Sequence, residues 1–179
     1  MLRYVLRYLC KFKIVLSKNT KRKLSSSLII PLLDYSDSVY FNAANTLLNL
    51  VQRVQNACVR FILNIKKRES VRSYIKSIKW ITMEKRRSLH SLLLIYKTMK
   101  FKEPSYLFDL FDSSLTNHCY QTRFNSNLSF TPPRSRTTKY NNSFIVRSMK
   151  SWNDLPEAVK SAPTVQSFKS TAYRHFLNS

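Results

Sequence analysis

Asn45 to Ile65 reads NTLLNLVQRVQNACVRFILNI, and this stretch decides the fold. Leu47, Val51, Val54, Cys58, Phe61 and Ile65 recur at alternating intervals of four and three residues, which places them on one face of a helix. Arg53 and Arg60 fall outside that stripe. Downstream, Arg72, Lys76 and Lys79 form a basic row beside Val71, Ile75 and Ile78, predicting a shorter helix. Thr82 suits the N-cap of the next helix, with Glu84 in its first turn and Leu89, Leu92, Leu93, Tyr96 and Met99 as its apolar stripe. That helix should end before Pro104, and Pro104 to Phe111 fits one more short helix. Asn142 to Trp152 is helical in pattern again. Thr164 suits the cap of a last helix with Val165, Phe168, Ala172 and Phe176 inward.

Upstream, Ser17 to Ser27 is polar and basic and reads as a connection or a helix start. Leu28 to Tyr40 is apolar around Pro31, where a helix should start or kink, because proline lacks an amide donor and crowds the preceding turn. Periodicity fades from Leu115 to Tyr140, and Pro132-Pro133 favours extended backbone. No alternating run is long enough to insist on a sheet. The expected class is all-α: an irregular helical bundle with a long basic loop before the C-terminal helix. Three segments follow: 1–24, a basic amphipathic helix and connection; 25–112, a helical bundle; and 113–179, the basic loop and C-terminal helices.

Glycine is absent from the 179 residues. That excludes a P-loop, a dinucleotide fingerprint, a kinase glycine loop, a G-x-S-x-G elbow and a standard EF-hand loop. No cofactor is expected. Cys10, Cys58 and Cys119 are odd in number and far apart, which argues against a disulfide framework. Cys58, on the apolar stripe, reads as a core residue. His118 and Cys119 are adjacent but have no close companion ligands, so no metal site is expected.

The formal net charge is +22, which calls for a polyanionic partner. Nucleic acid comes first, with an anionic membrane surface as its rival. No stretch approaches the ~18 apolar residues of a membrane span. Leu2, Val5, Leu6, Leu9, Phe12 and Leu16 make an amphipathic N-terminal helix flanked by Arg3, Arg7 and Lys11. Three readings fit it: a core-packing helix with a solvated basic face, which is favoured, a mitochondrial presequence, or a membrane-surface helix. Elsewhere the expected location is intracellular, nucleus or cytoplasm, and a membrane partner is not expected.

Lys66 to Lys102 holds twelve Lys or Arg against Glu69 and Glu84. No acid lies between Asp112 and Asp154, a stretch that carries Arg123, Arg134, Arg136, Lys139, Arg147 and Lys150 among Tyr120, Phe124, Phe130, Tyr140 and Phe144. Guanidinium groups fork onto phosphates and rings stack on bases, so the pattern suits nucleic acid. The candidate phosphate contacts are Lys66, Lys67, Arg68, Arg86, Arg87, Arg123, Arg134, Arg136, Lys139 and Arg147. Nothing predicts sequence-specific readout. The acid pairs Asp34/Asp37, Asp109/Asp112 and Asp154/Glu157 read as turn formers, caps and charge balance, and no enzymatic activity of this chain alone is expected.

Five segments occur in order: PLLDYSDSVY (Pro31 to Tyr40), LLNLVQRVQNACVRFIL (Leu47 to Leu63), MEKRRSLHSLLLIYKTMKF (Met83 to Phe101), PRSRTTKYNNSFIVRSMKSWNDLPEAV (Pro133 to Val159) and APTVQSFKSTAYRHFL (Ala162 to Leu177). Together they resemble the C-terminal region of jockey-like non-LTR retrotransposon reverse transcriptases. The most specific residues are Arg134, Arg136, Thr137, Ser143, Phe144, Trp152, Asn153, Leu155 and Pro156, followed by Ser167 to Lys169. The resemblance implies the helical thumb and post-palm part of an RNA-directed DNA polymerase, which would hold RNA or an RNA–DNA hybrid next to an upstream palm and fingers. The family's palm carries an Asp-Asp pair. This chain has none, so no catalytic residue carries over. The alternatives are a domesticated basic interaction protein and an open reading frame with no specific ligand.

Overall fold

The computed structural model describes residues 2–40, 43–112 and 129–178. The described residues are mostly helical with no run of β-strand, so the fold is all-α. Two compact units, Met1–Arg86 and Arg87–Ser179, meet within one helix.

The first unit contains α1 (Leu2–Lys11), α2 (Lys18–Leu24), α3 (Ile30–Asp34), α4 (Asn45–Leu63), α5 (Arg72–Ser77) and the start of α6 (Met83–Phe101). α1, α2 and α5 all pack on α4. Leu9, Ile29, Leu33, Cys58, Val59, Phe61, Ile62, Ile75, Trp80 and Met83 are the buried centre. Ser17 starts α2 by accepting the Thr20 amide on its hydroxyl, so the polar stretch is a helix with a proper cap. α2 runs into α3 through a π turn, Ser25–Ile29, in which the Ile30 amide donates to the Ser25 carbonyl. The wider turn opens the ladder just ahead of Pro31, which has no amide to place in it. Ser26 and Ser27 turn their hydroxyls back onto the Arg22 and Lys23 carbonyls, each at 2.8 Å.

α4 departs from the predicted stripe at both ends. Leu47 is 55% exposed rather than inward. The helix stops at Leu63, so Ile65 lies beyond it. The reason is polar. Gln55 is buried on the inner face because its amide donates to the Ile81 carbonyl at 2.8 Å. Gln52 accepts the Met83 amide at 2.9 Å, holding the first turn of α6. Two amide side chains thus fix which side of α4 turns inward. At its end, Asn64 takes a left-handed conformation and accepts a 3.0 Å hydrogen bond from Lys21, whose side chain is buried beside the Phe61 ring.

A chain without glycine fills its left-handed positions with other residues. Ser36, Asn64, Lys79 and Lys102 have φ between 53° and 57°. Lys79 closes α5 in a Schellman arrangement: its amide donates to Lys76 O and the Trp80 amide donates to Ile75 O.

The second unit contains the rest of α6 with α7 (Ser105–Asp112), α8 (Thr138–Asn141), α9 (Phe144–Asn153), α10 (Glu157–Lys160) and α11 (Val165–Asn178). α6 is buried on more of its circumference than the stripe predicted, with Ile95 inside as well as Leu89, Leu92 and Tyr96. Residues 129–137 carry no helix, as expected, but Thr137 caps Tyr140 and starts α8 inside the predicted loop. Residues 115–128 of that loop lie outside the described residues. Thr164 caps α11 through the Ser167 amide as predicted, and Phe168 and Ala172 face inward.

Lys79→Gly is expected to raise the stability of the first unit by about 0.5–1 kcal/mol, since an L-residue with a side chain is strained in that conformation. A urea titration checks it; a lower midpoint counts against the strain. Burial, with a smaller contribution from Cys10, pushes the Cys58 thiol from 9.0 up to about 12. Below pH 9 the thiol is protonated in both folded and unfolded chains, and its contribution to stability is complete. As pH rises from about 9 to about 12 only the unfolded chain ionises, so that contribution is lost at up to about 1.4 kcal/mol per pH unit. Urea titrations between pH 8 and 11 should show a shallower alkaline decline in Cys58→Ala than in the parent.

Candidate nucleic-acid interface

After Asn64 the chain makes a tight turn in which the Glu69 amide donates to the Lys66 carbonyl. Arg60 of α4 donates to the Glu69 carbonyl at 3.2 Å and fastens the turn to the helix. α5 follows with Val71, Ile75 and Ile78 buried. Its remaining side is left to solvent, and Arg72, Lys76 and Lys79 are all exposed there. Lys66, Lys67 and Arg68 are exposed at the turn before it. Six cations therefore stand on one short, anchored segment with Glu69 as its acid. The segment's apolar half holds the backbone still, and the cations need no rearrangement to meet a row of phosphates.

Arg86 and Arg87 are placed differently from the sequence expectation. Arg86 forks onto Asp34: Nε donates to Oδ1 at 2.9 Å and the terminal nitrogen donates to Oδ2, with both side chains half-buried. The fork is filled, and it ties α6 to the end of α3. Arg87 is only 6% exposed, and its carbonyl accepts the Ser91 hydroxyl. Both residues belong to the fold rather than to an accessible phosphate-binding surface. Asp34, in turn, is occupied as Arg86's partner.

The second unit has its own group of cations. Arg134 and Arg136 are exposed and, with Ser135, line a concavity of about 470 Å³. Lys139 is exposed on α8, and Arg147 is half-buried on α9. Lys150 is exposed with its ammonium on the Asn141 side chain at 2.6 Å. Arg123 lies outside the described residues, as do Tyr120, Phe124, His118 and Cys119.

Trp152 and Asn153 of the longest motif have structural work in this unit. Phe111, Phe130, Trp152, Phe168 and Tyr96 form a continuous chain of rings with successive centroids 5.7, 5.9, 5.7 and 4.4 Å apart. The chain joins α7, the non-helical residues 129–137, α9, α11 and α6. Asn153 pairs with the backbone of Phe130 in both directions, accepting its amide at 2.9 Å and donating to its carbonyl at 2.8 Å. The Tyr96 hydroxyl donates to the Ala162 carbonyl at 2.6 Å, and Lys100 donates to the neighbouring Pro163 carbonyl. Lys160 donates to the Asn153 carbonyl at the end of α9, and burial there lowers its pKa against the opposing pull of Glu157 and Asp154.

Comparison with known protein families, characterised proteins and solved structures finds no match to this chain. What it does rests on its own surface. Charge counting over Lys66 to Lys102 picked out Lys66, Lys67 and Arg68 as phosphate contacts but not Arg72, Lys76 and Lys79, and could not see that Arg60 anchors the turn. It also could not separate Arg86 and Arg87 from their exposed neighbours. The apolar positions of α6 flanked both arginines, and no sequence signal pairs Arg86 with Asp34 fifty-two residues away.

Asn153→Ala leaves both Phe130 backbone groups without their partner and is expected to cost about 1–3 kcal/mol. Phe168→Ala, at the middle of the ring chain, is expected to cost about 3–5 kcal/mol. Urea unfolding read by tryptophan fluorescence checks both; losses below about 0.5 kcal/mol would show that the second unit does not depend on these contacts.

Proposed function

We propose that this chain binds the backbone of RNA or an RNA–DNA hybrid, and that it is the thumb and post-palm part, or a remnant, of a jockey-like retrotransposon reverse transcriptase. The observation that carries the binding is the anchored segment Lys66 to Lys79, with six exposed cations and one acid. Arg134, Arg136, Lys139 and Arg147 supply a second group on the other unit. The family assignment is supported by five motif segments in order. On this reading the chain supplies grip and not chemistry: the paired aspartates of the polymerase would sit on an upstream palm. Phosphate contacts position a duplex without reading its sequence, so affinity should depend little on base order.

A second reading has one observation in its favour. Leu28, Leu32, Tyr35 and Val39 are exposed apolar side chains on the first unit. A basic interaction protein would use such side chains on a protein partner, and its affinity would fall on removing the leucines rather than the lysines and arginines.

A salt titration tests the nucleic-acid reading. Neutralising about six phosphates should make log affinity for a hybrid duplex fall against log salt with a slope of at least about −4. Lys66→Gln, Lys67→Gln and Arg68→Gln together should make that slope shallower by about 2–3 and weaken all sequences alike. A flat salt dependence, or an unchanged slope in the triple variant, would overturn the assignment of this segment.

A further inference from the structure

The turn between α1 and α2 is built unlike the rest of the surface. α1 packs on α4, with Val5, Leu6 and Leu9 against the core, as the core-packing reading of this helix required. Its other side is not simply polar. Tyr4, Tyr8 and Phe12 are exposed, with Tyr8 and Phe12 edge to face at 5.6 Å and the Lys11 ammonium 5.9 Å from the Tyr8 ring centre. Beyond them, Ile14 is 97% exposed and Val15 84%. These two aliphatic side chains are not on a loose tail. Lys13 N donates to Cys10 O at 3.2 Å, and Val15 N and Leu16 N both donate to Phe12 O at 3.1 Å. Leu16 packs against the core, and Ser17 then caps α2. The turn is held at both ends while its tip points into water.

The charge around that tip has one sign. Arg7, Lys11 and Lys18 are exposed, Lys13 is half-buried, and the first acid in the chain is Asp34. Exposed cations alone fit any polyanion, including the nucleic acid proposed above. The aliphatic tip separates the two. A sugar-phosphate backbone offers an isoleucine and a valine nothing to bury against, and bases stack on rings rather than on branched aliphatics. A bilayer interface accommodates all three components: aliphatic tips at the acyl boundary, aromatic rings at headgroup level, and lysines and arginines on anionic headgroups.

We propose that the Phe12–Leu16 turn, with the outer face of α1, is a docking site for an anionic lipid surface. The site lies apart from segment 66–79 in sequence and does not rest on the nucleic-acid reading. The test uses the full chain and two kinds of vesicle, phosphatidylcholine alone and phosphatidylcholine with phosphatidylserine. The chain should co-sediment with the second and far less with the first. Ile14→Ser with Val15→Ser should weaken that binding by at least about tenfold, because the tip loses its insertion while every cation remains. Both positions are exposed, so folding is not at stake, and affinity for a hybrid duplex should stay within about twofold. In Ile14→Trp, the added tryptophan should shift its emission to shorter wavelength on phosphatidylserine vesicles and be quenched by brominated lipid. Unchanged vesicle binding in the double serine variant would mean attraction of a basic protein to any anionic surface, and would overturn the proposal. So would an unshifted emission, or a parallel loss of duplex affinity, which would assign the turn to the nucleic-acid face instead.

Discussion

Self-repulsion is the constraint that this structure has to meet. Thirty-one Lys and Arg are set against nine Asp and Glu, so most cations have no acid to pair with. Burial of apolar surface has to outweigh that repulsion, and the cations have to stay in water, where the dielectric weakens it. α5 solves the problem on a small scale: Val71, Ile75 and Ile78 go inward and Arg72, Lys76 and Lys79 outward, so each turn of helix adds to the core without burying a charge. Three of the cations drawn out of the solvent have a specific partner. Lys21 bonds Asn64, Lys160 bonds the Asn153 carbonyl, and Arg86 takes the fork of Asp34 from a half-buried position. A buried charge left unpaired would cost several kcal/mol.

The missing glycines impose a second constraint, and polar side chains absorb it. Helix ends and sharp turns elsewhere use residues that tolerate strain or bond locally. Asn64 and Lys79 close α4 and α5 in left-handed conformations. Ser17, Thr137 and Thr164 cap helix starts. The hydroxyls of Ser26 and Ser27 bond carbonyls of the preceding turn beside the π turn that leads to Pro31. Part of the Ser, Thr and Asn in the sequence is thus spent on backbone groups at helix ends and turns.

Most helices were legible because they obey one rule. The 3.6-residue spacing of apolar positions located α4, α5, α6 and α11, and Thr82 and Thr164 marked the starts of α6 and α11. What escaped was set by contacts between residues far apart in sequence. The inner face of α4 depends on Gln55 reaching Ile81, and Leu47 is left outside in consequence. Lys21 lies in the polar stretch Ser17 to Ser27 and is nonetheless buried, because Asn64 and Phe61 come beside it. The candidate site divided in the same way. Lys66 to Arg68 were found because a charged turn with few apolar residues has nowhere to go but outward. Arg87 was misplaced because its neighbours in sequence look the same while its surroundings in space do not.

The roles of the motif residues bear on what their resemblance can mean. Trp152, Asn153 and Phe168, with Tyr96, are occupied with one another and with backbone groups of the second unit. A motif made of such residues specifies a way of folding and carries no chemistry of its own. Likeness in these positions speaks for a shared architecture, and it is silent on whether a given chain still binds nucleic acid. Binding has to be sought in residues the motif leaves to solvent, which are the arginines Arg134 and Arg136 within it and the Lys66 to Lys79 segment outside it. A remnant that had lost its ligand could keep the ring chain and let those cations drift. Six exposed cations stand on the turn that Arg60 fastens to α4 and on the α5 segment that follows, and the contacts of the core do not call for them.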